Sequence, residues 1–177
     1  MLVFEIKTLN SVQKINSLGC QTYLPHYPHL WYEGGVEWYL NKCFNDRQLE
    51  MDLANPSLTY YAIVLGDKEV GLLKLVRNKA PFGLSLDTSL YLEKIYFLKE
   101  FIGLGLGQKT IAWVLEQARN SGIKMVWLMA MDSSHKAIAS YEKAGFHPIG
   151  TTRLDDEEFQ LMKPEFRGMV ILKKDLS

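Results

Sequence analysis

The spacing of apolar positions divides the chain into alternating and helical stretches. Val3 to Leu9 alternates apolar and polar residues, the period of a half-buried strand. Helical spacing follows over about 11–23 and again over about 36–53, the second stretch ending before Pro56. Tyr60 to Leu65 and Glu69 to Val76, joined by Gly66-Asp67-Lys68, predict an antiparallel hairpin. Leu90 to Phe97 predicts a strand that feeds a glycine turn at Gly103 to Gly107. Ile111, Val114, Leu115 and Ala118 fall on one face of a helix from about Leu106 to Asn120, stopped by Ser121-Gly122. Met125 to Met131 is apolar throughout, as a strand covered on both faces would be. A further helix is expected from Ser133 or Ser134 to Gly145, then closing strands over Phe146 to Leu154 and Met169 to Lys173. Strand, turn, helix and strand in the second half predict a parallel crossover, while the first half is hairpin-like. The expected class is α/β, with a single mixed, partly antiparallel sheet flanked by helices.

Between the first two helices, Leu24 to Gly35 carries Pro25, His26, Tyr27, Pro28, His29, Trp31 and Tyr32. This aromatic, proline-punctuated loop is either a packed connector or a substrate-facing wall.

Composition narrows the class of function. The chain has 177 residues, enough for one domain with a substantial core, and no internal repeat or linker divides it. Twenty Lys+Arg offset twenty Asp+Glu, so the net charge is zero. Nucleic acid is therefore not expected as a main partner, because phosphate binding draws on a cationic excess. The start, Met1-Leu2-Val3-Phe4-Glu5-Ile6-Lys7, lacks the features of a signal peptide, and no apolar run reaches the roughly 20 residues that span a bilayer. Cys20 and Cys43 have neither metal nor redox spacing. A cytoplasmic protein with reduced thiols, no membrane partner and no metal is the expectation.

A strand running into a glycine turn and then a helix is suited to phosphate. Glycines let backbone N–H groups approach an anion, and the first helical turn adds free donors and a favourable dipole. A dinucleotide fingerprint would want a third glycine at position 108, where this chain has Gln108. A P-loop would also want Gly there, before Lys109-Thr110, and Asp132 follows an apolar strand as a magnesium-binding residue might. Gln108 breaks both patterns, which leaves a P-loop-like nucleotide-binding protein as the weaker alternative.

The stretch Leu92-Glu93-Lys94-Ile95-Tyr96-Phe97 through Gly103-Leu104-Gly105-Leu106-Gly107 resembles the pyrophosphate-binding motif of the GNAT superfamily of N-acetyltransferases. Lys136-Ala137-Ile138-Ala139-Ser140-Tyr141-Glu142-Lys143-Ala144-Gly145-Phe146 is similar to that family's second hallmark. The resemblance implies one N-acetyltransferase domain over 1–177, using acetyl-CoA as co-substrate and a small-molecule amine or peptide as acceptor. It implies that the backbone of Ile95, Tyr96 and Phe97 pairs with pantetheine. It also implies that Gly103, Leu104, Gly105, Leu106, Gly107 and Gln108 hold the pyrophosphate.

Tyr141 would hydrogen-bond the leaving sulfur; otherwise it is an aromatic on the packing face. Glu93, two positions before Ile95 and so expected on the same face, would take the amine proton; otherwise it is a surface carboxylate paired with a lysine. Direct transfer is expected, since neither cysteine sits in a nucleophile–base motif.

Two positions depart from the family. Ile102 cannot assist the pyrophosphate, leaving that work to the backbone. Ser134 replaces a common Asn and is expected to cap its helix, with its hydroxyl still able to reach the cofactor. The overall pattern resembles bacterial members acting on small amines, including polyamines, and leaves a homodimer open. A polyamine would want an acidic pocket, for which Glu33, Glu37, Asp155, Asp156 and Glu157 are candidates. The competing reading from another class is a non-catalytic acyl-CoA-binding module.

Overall fold

A computed structural model describes residues 1–177. Its elements are β1 (Phe4–Leu9), α1 (Val12–Tyr23), α2 (Gly35–Phe44), α3 (Asp46–Ala54), β2 (Leu58–Leu65) and β3 (Lys68–Arg77). They continue with β4 (Ser89–Phe97), α4 (Leu106–Asn120), β5 (Met125–Met131), α5 (His135–Lys143), β6 (His147–Arg153) and β7 (Gly168–Asp175). The expected strands are all present. The long helix over 36–53 is instead two, because Asn45 interrupts it. Its side chain accepts from the Gln48 N–H and donates to the Asn41 carbonyl, ending α2 and capping α3 at one residue.

One seven-stranded sheet runs β1-β2-β3-β4-β5-β7-β6. Every neighbouring pair is antiparallel except β4 and β5, which are parallel as a crossover through α4 requires. The larger core cluster puts Leu73, Leu75, Leu90, Leu92 and Val126 beneath Ile111, Val114 and Leu115 of α4. A second cluster, on the other side of the sheet, packs Ile15 and Leu18 of α1 with Phe44, Leu49, Tyr60 and Leu72.

Two irregularities shape the middle of the sheet. β4 and β5 pair only at Ser89–Met125, Leu90–Val126 and Tyr91–Trp127, then separate. On its other edge β4 carries a bulge, since Lys74 pairs with Lys94 but Leu75 pairs with Leu92. Glu93 is the extra residue, and an inserted residue reverses the faces of everything beyond it. Leu90 and Leu92 before the bulge and Ile95 and Phe97 after it consequently share the α4 side.

Candidate active site

The separation of β4 from β5 opens a cavity of about 470 Å³ through the sheet. On one side it is bounded by Ile95, Ala130, Ala137 and Tyr141, and on the other by Tyr23, Tyr27, Trp31, Tyr39, Asp52 and Lys74. The aromatic loop is thus a wall of the cavity. It is also well packed: Trp31 Nε1 donates to Tyr23 Oη at 2.9 Å, and Trp31 pairs with Met162 in an isolated bridge. His29 stacks edge-on against Phe166, while His26 Nε2 lies 2.9 Å from the Phe97 carbonyl oxygen.

The exposed edge of β4 follows from ladder alternation. The Leu98 N–H donates to the Val70 carbonyl on β3. Antiparallel bonds recur at every second residue, so Tyr96 is also bonded to β3 and Ile95 and Phe97 present their N–H and C=O groups to the gap. Gly71, opposite Phe97, allows this tight ladder, since a Cβ there would come within 2.7 Å of the Tyr96 carbonyl oxygen. The expected backbone trio is therefore corrected to a pair. Ile95 and Phe97 face the gap, and Tyr96 contributes its side chain.

Beyond Phe97, Gly103 and Gly105 adopt φ of +81° and +77°, and nothing lies within 4 Å of where a Cβ would stand on either. None of the N–H groups from Gly103 to Gln108 donates to an acceptor within the protein. Gly105 is the N-cap of α4, so these donors gather at the positive end of the helix. Ile102 and Leu104 are exposed, and neither brings a polar group. Thr110 instead donates to the Leu106 carbonyl, and the Lys109 ammonium lies 5.9 Å from the Phe4 ring. The two residues that made a P-loop conceivable thus have other partners. The Gln108 side chain is also committed, donating to both Ser140 O and Ser140 Oγ at 2.7 Å, which leaves only its backbone N–H for an anion.

Tyr141 lines the cavity and packs edge-on against Phe146. Burial pushes its hydroxyl well above the ordinary phenol range, so it stays protonated and can donate. Ser134 also lines the cavity, but its hydroxyl does not cap α5. With φ of −88° and ψ of 62° it lacks the extended backbone of a side-chain cap, and it contributes only its carbonyl, to the Ile138 N–H.

Glu93 departs furthest from expectation. The bulge turns it away from the side of Ile95, toward Lys74 at 2.7 Å and Lys79 at 3.9 Å. Burial alone would raise its carboxyl, but Lys94, Lys74 and Lys79 outweigh that and hold it below the usual range. Lys74 also pairs with Asp52 at 3.1 Å, and Asp52 accepts from Tyr60 Oη and Gln48 Nε2.

Beyond a pairing of Glu93 with some lysine, this charged layer, with Lys94 and the hydroxyls of Tyr39 and Tyr96, is not apparent from the sequence. The available signal was two lysines and a glutamate inside otherwise apolar strands. By contrast, Glu33, Glu37, Asp155, Asp156 and Glu157 do not line the cavity. No cluster of His, Cys, Asp or Glu suited to a metal ion forms, and no helix is long and apolar enough to cross a membrane.

The model of the acetyltransferase (GNAT) family matches residues 21–146. An uncharacterized N-acetyltransferase of Escherichia coli, YjgM, is 36% identical over 76 residues, covering 41% of this chain and 46% of that protein. The match therefore spans just under half the length of this curated relative. The PaiA N-acetyltransferase of Thermoplasma acidophilum, solved with coenzyme A, superposes with a TM-score of 0.74 at 13% identity, over 98% of this chain and 99% of that one. A chimera of the spermidine N-acetyltransferase SpeG from Vibrio cholerae and hSSAT gives 0.70 at 14% identity, over 97% and 95%. The ribosomal-protein-S18-alanine N-acetyltransferase of Escherichia coli gives 0.68 at 13%, over 99% and 95%. Identities this low carry the fold and not the acceptor.

Proposed function

We propose that this chain, which belongs to the acetyltransferase (GNAT) family and is an acyltransferase by that membership, forms a single domain that moves an acetyl group from acetyl-CoA directly to the primary amine of a small molecule. One observation carries the reading. The edge of Ile95 and Phe97, whose N–H groups face the gap, leads into a glycine turn whose amide donors, from Gly103 to Gln108, have no partner in the protein. An extended arm ending in a pyrophosphate suits both features at once, and coenzyme A has that shape. The open space over Gly103 and Gly105 fits close approach of phosphate.

Acetyl-CoA supplies an activated thioester. The N–H groups of Ile95 and Phe97 orient the arm and can donate to a carbonyl oxygen as it gains charge. As the N–C bond forms and the C–S bond breaks, Tyr141 donates a hydrogen bond to the sulfur. Its raised proton affinity favours this partial transfer over full ionisation. The amine must first lose a proton, since a lysine-like ammonium has a pKa of about 10.4. Glu93 is poorly placed to take it, being ion-paired and weakly basic. We assign Glu93 the role of counter-charge to the lysines, with water receiving the proton.

Spermidine and an alanine of protein S18 figure in the names of two structural relatives, and one fold serves both. Within this chain the cavity carboxylates, Asp52 and Glu93, are neutralised by Lys74 and Lys79, which gives a polyamine no free acidic pocket. The test is thiol release from acetyl-CoA across a panel of amines. Turnover that falls in both Tyr141→Phe and Gly105→Glu supports the assignment. Binding of acetyl-CoA with no turnover on any amine would favour a non-catalytic module.

A further inference from the structure

Of the three lysines that line the cavity, Lys42 and Lys74 are ion-paired and Lys94 is not. Lys74 and Lys94 stand directly opposite each other on β3 and β4, and like charges so placed repel. Both are buried, with 8% and 7% of their surface exposed. Asp52 and Glu93 are balanced by Lys74, at 3.1 and 2.7 Å, together with Lys79, which lies 3.9 Å from Glu93. Lys94 makes no ion pair; Glu93, its neighbour in the chain, directs its oxygens to Lys74 and Lys79. The contacts of the Lys94 ammonium are neutral. It donates to Tyr39 Oη at 3.3 Å and to Cys43 Sγ at 3.7 Å, and the rings of Tyr39 and Tyr96 lie 5.5 and 6.0 Å away.

An ammonium withdrawn from water without a carboxylate in contact is costly, and burial here brings it to the wall of the cavity. We propose that Lys94 is the anion subsite of the acceptor pocket, so that the acceptor amine also carries an acidic group, a carboxylate or a phosphate ester. Lys94 Nζ pairs with that group, and the Tyr39 hydroxyl is placed to add a hydrogen bond. Tyr23, Tyr27 and Trp31 offer flat apolar surface to the rest of the molecule, which favours an amine with an apolar or aromatic body. A polycation would meet a fixed cation in the same place. The word acceptor rests on the acetyl-transfer reading; the anion site itself does not.

The test is therefore a binding measurement that needs no turnover. Coenzyme A-saturated protein is titrated calorimetrically with 3-phenylpropanoate, 3-phenylpropanamide, 3-phenylpropyl phosphate and spermidine. Wild type is expected to bind one of the two anions at least about tenfold more tightly than the amide, and which anion it prefers separates carboxylate from phosphate. Lys94→Met should erase the preference and Lys94→Arg should keep it, with coenzyme A binding equal in all three. Equal binding of anions and amide to wild type, tighter binding of spermidine, or an anion preference that survives in Lys94→Met would overturn the proposal. Should Lys94→Met fail to fold, the wild-type ratio decides alone. Anion binding through Lys94 without acetylation of phenylalanine, its amide or phenethylamine would sink the acetyl-transfer reading and leave the subsite standing.

Discussion

His26 Nε2 lies 2.9 Å from the Phe97 carbonyl oxygen, which ties the aromatic loop to the open edge of β4. A carbonyl can only accept, so the proton of the imidazole sits on Nε2. The contact makes one wall of the cavity depend on the strand that forms the other. His26→Ala removes a partly buried hydrogen bond worth about 1 kcal/mol and frees the loop. The expected result is a several-fold rise in KM for the acceptor with an unchanged dissociation constant for acetyl-CoA. Steady-state kinetics beside a binding titration will show it.

Two substitutions at Gly105 separate conformation from ligand binding. With φ at +77° and no neighbour within 4 Å, alanine meets no obstacle except its own backbone. Gly105→Ala should cost about 1–2 kcal/mol in urea unfolding. Gly105→Glu should cost a similar amount but also place a carboxylate where the amide donors converge, abolishing acetyl-CoA binding. Retained affinity in Gly105→Glu would remove the glycine turn from the site.

Tyr141→Phe deletes a hydroxyl while keeping the packing against Phe146. The expected loss is about 100-fold in kcat with little change in acetyl-CoA affinity. Because burial raises the Tyr141 hydroxyl, the wild-type rate should show no descending limb near the ordinary phenol pKa of about 10. A limb there that vanishes in Tyr141→Phe would contradict the burial argument.

Glu93 should make stability depend on pH. Its folded-state pKa is lowered, so its contribution is fully present above the ordinary carboxylate value and is lost as pH falls through the depressed one. Unfolding followed from pH 7 downward should show the decline beginning below about 4.5. Glu93→Gln leaves Lys74 with Asp52 as its remaining carboxylate and should cost about 3 kcal/mol at neutral pH.

The rate makes a separate point. If water takes the amine proton, kcat/KM should climb tenfold per pH unit up to the pKa of the acceptor itself. A plateau reached in the carboxylate range and removed by Glu93→Gln would restore Glu93 as the base.

Strand and helix identities were legible because periodicity is local; the parallel crossover and the glycine turn could be read in the same way. The bulge could not. Nothing in Leu92-Glu93-Lys94-Ile95 marks one residue as extra, since a bulge is decided by how the facing strand pairs. From that single register shift follow the turning of Glu93 away from the side of Ile95 and its capture by lysines on the neighbouring strand and loop. The break at Asn45 escapes periodicity for a related reason. Helical spacing continues through it, and only its two side-chain bonds show that one helix ends there and another begins. The hydroxyl of Ser134 likewise depended on a backbone angle that composition does not carry.

Gln108 follows the glycine turn and Ser140 precedes Tyr141, and the two 2.7 Å contacts between them fasten α4 to α5. The group that would meet the phosphates and the group that would meet the sulfur therefore belong to one rigid frame. Such a frame acts as a gauge of length. On the proposed reading, a thioester would be presented to Tyr141 only when the arm linking it to its phosphates has the right span, and an acyl donor lacking that arm would lose its register as well as its grip.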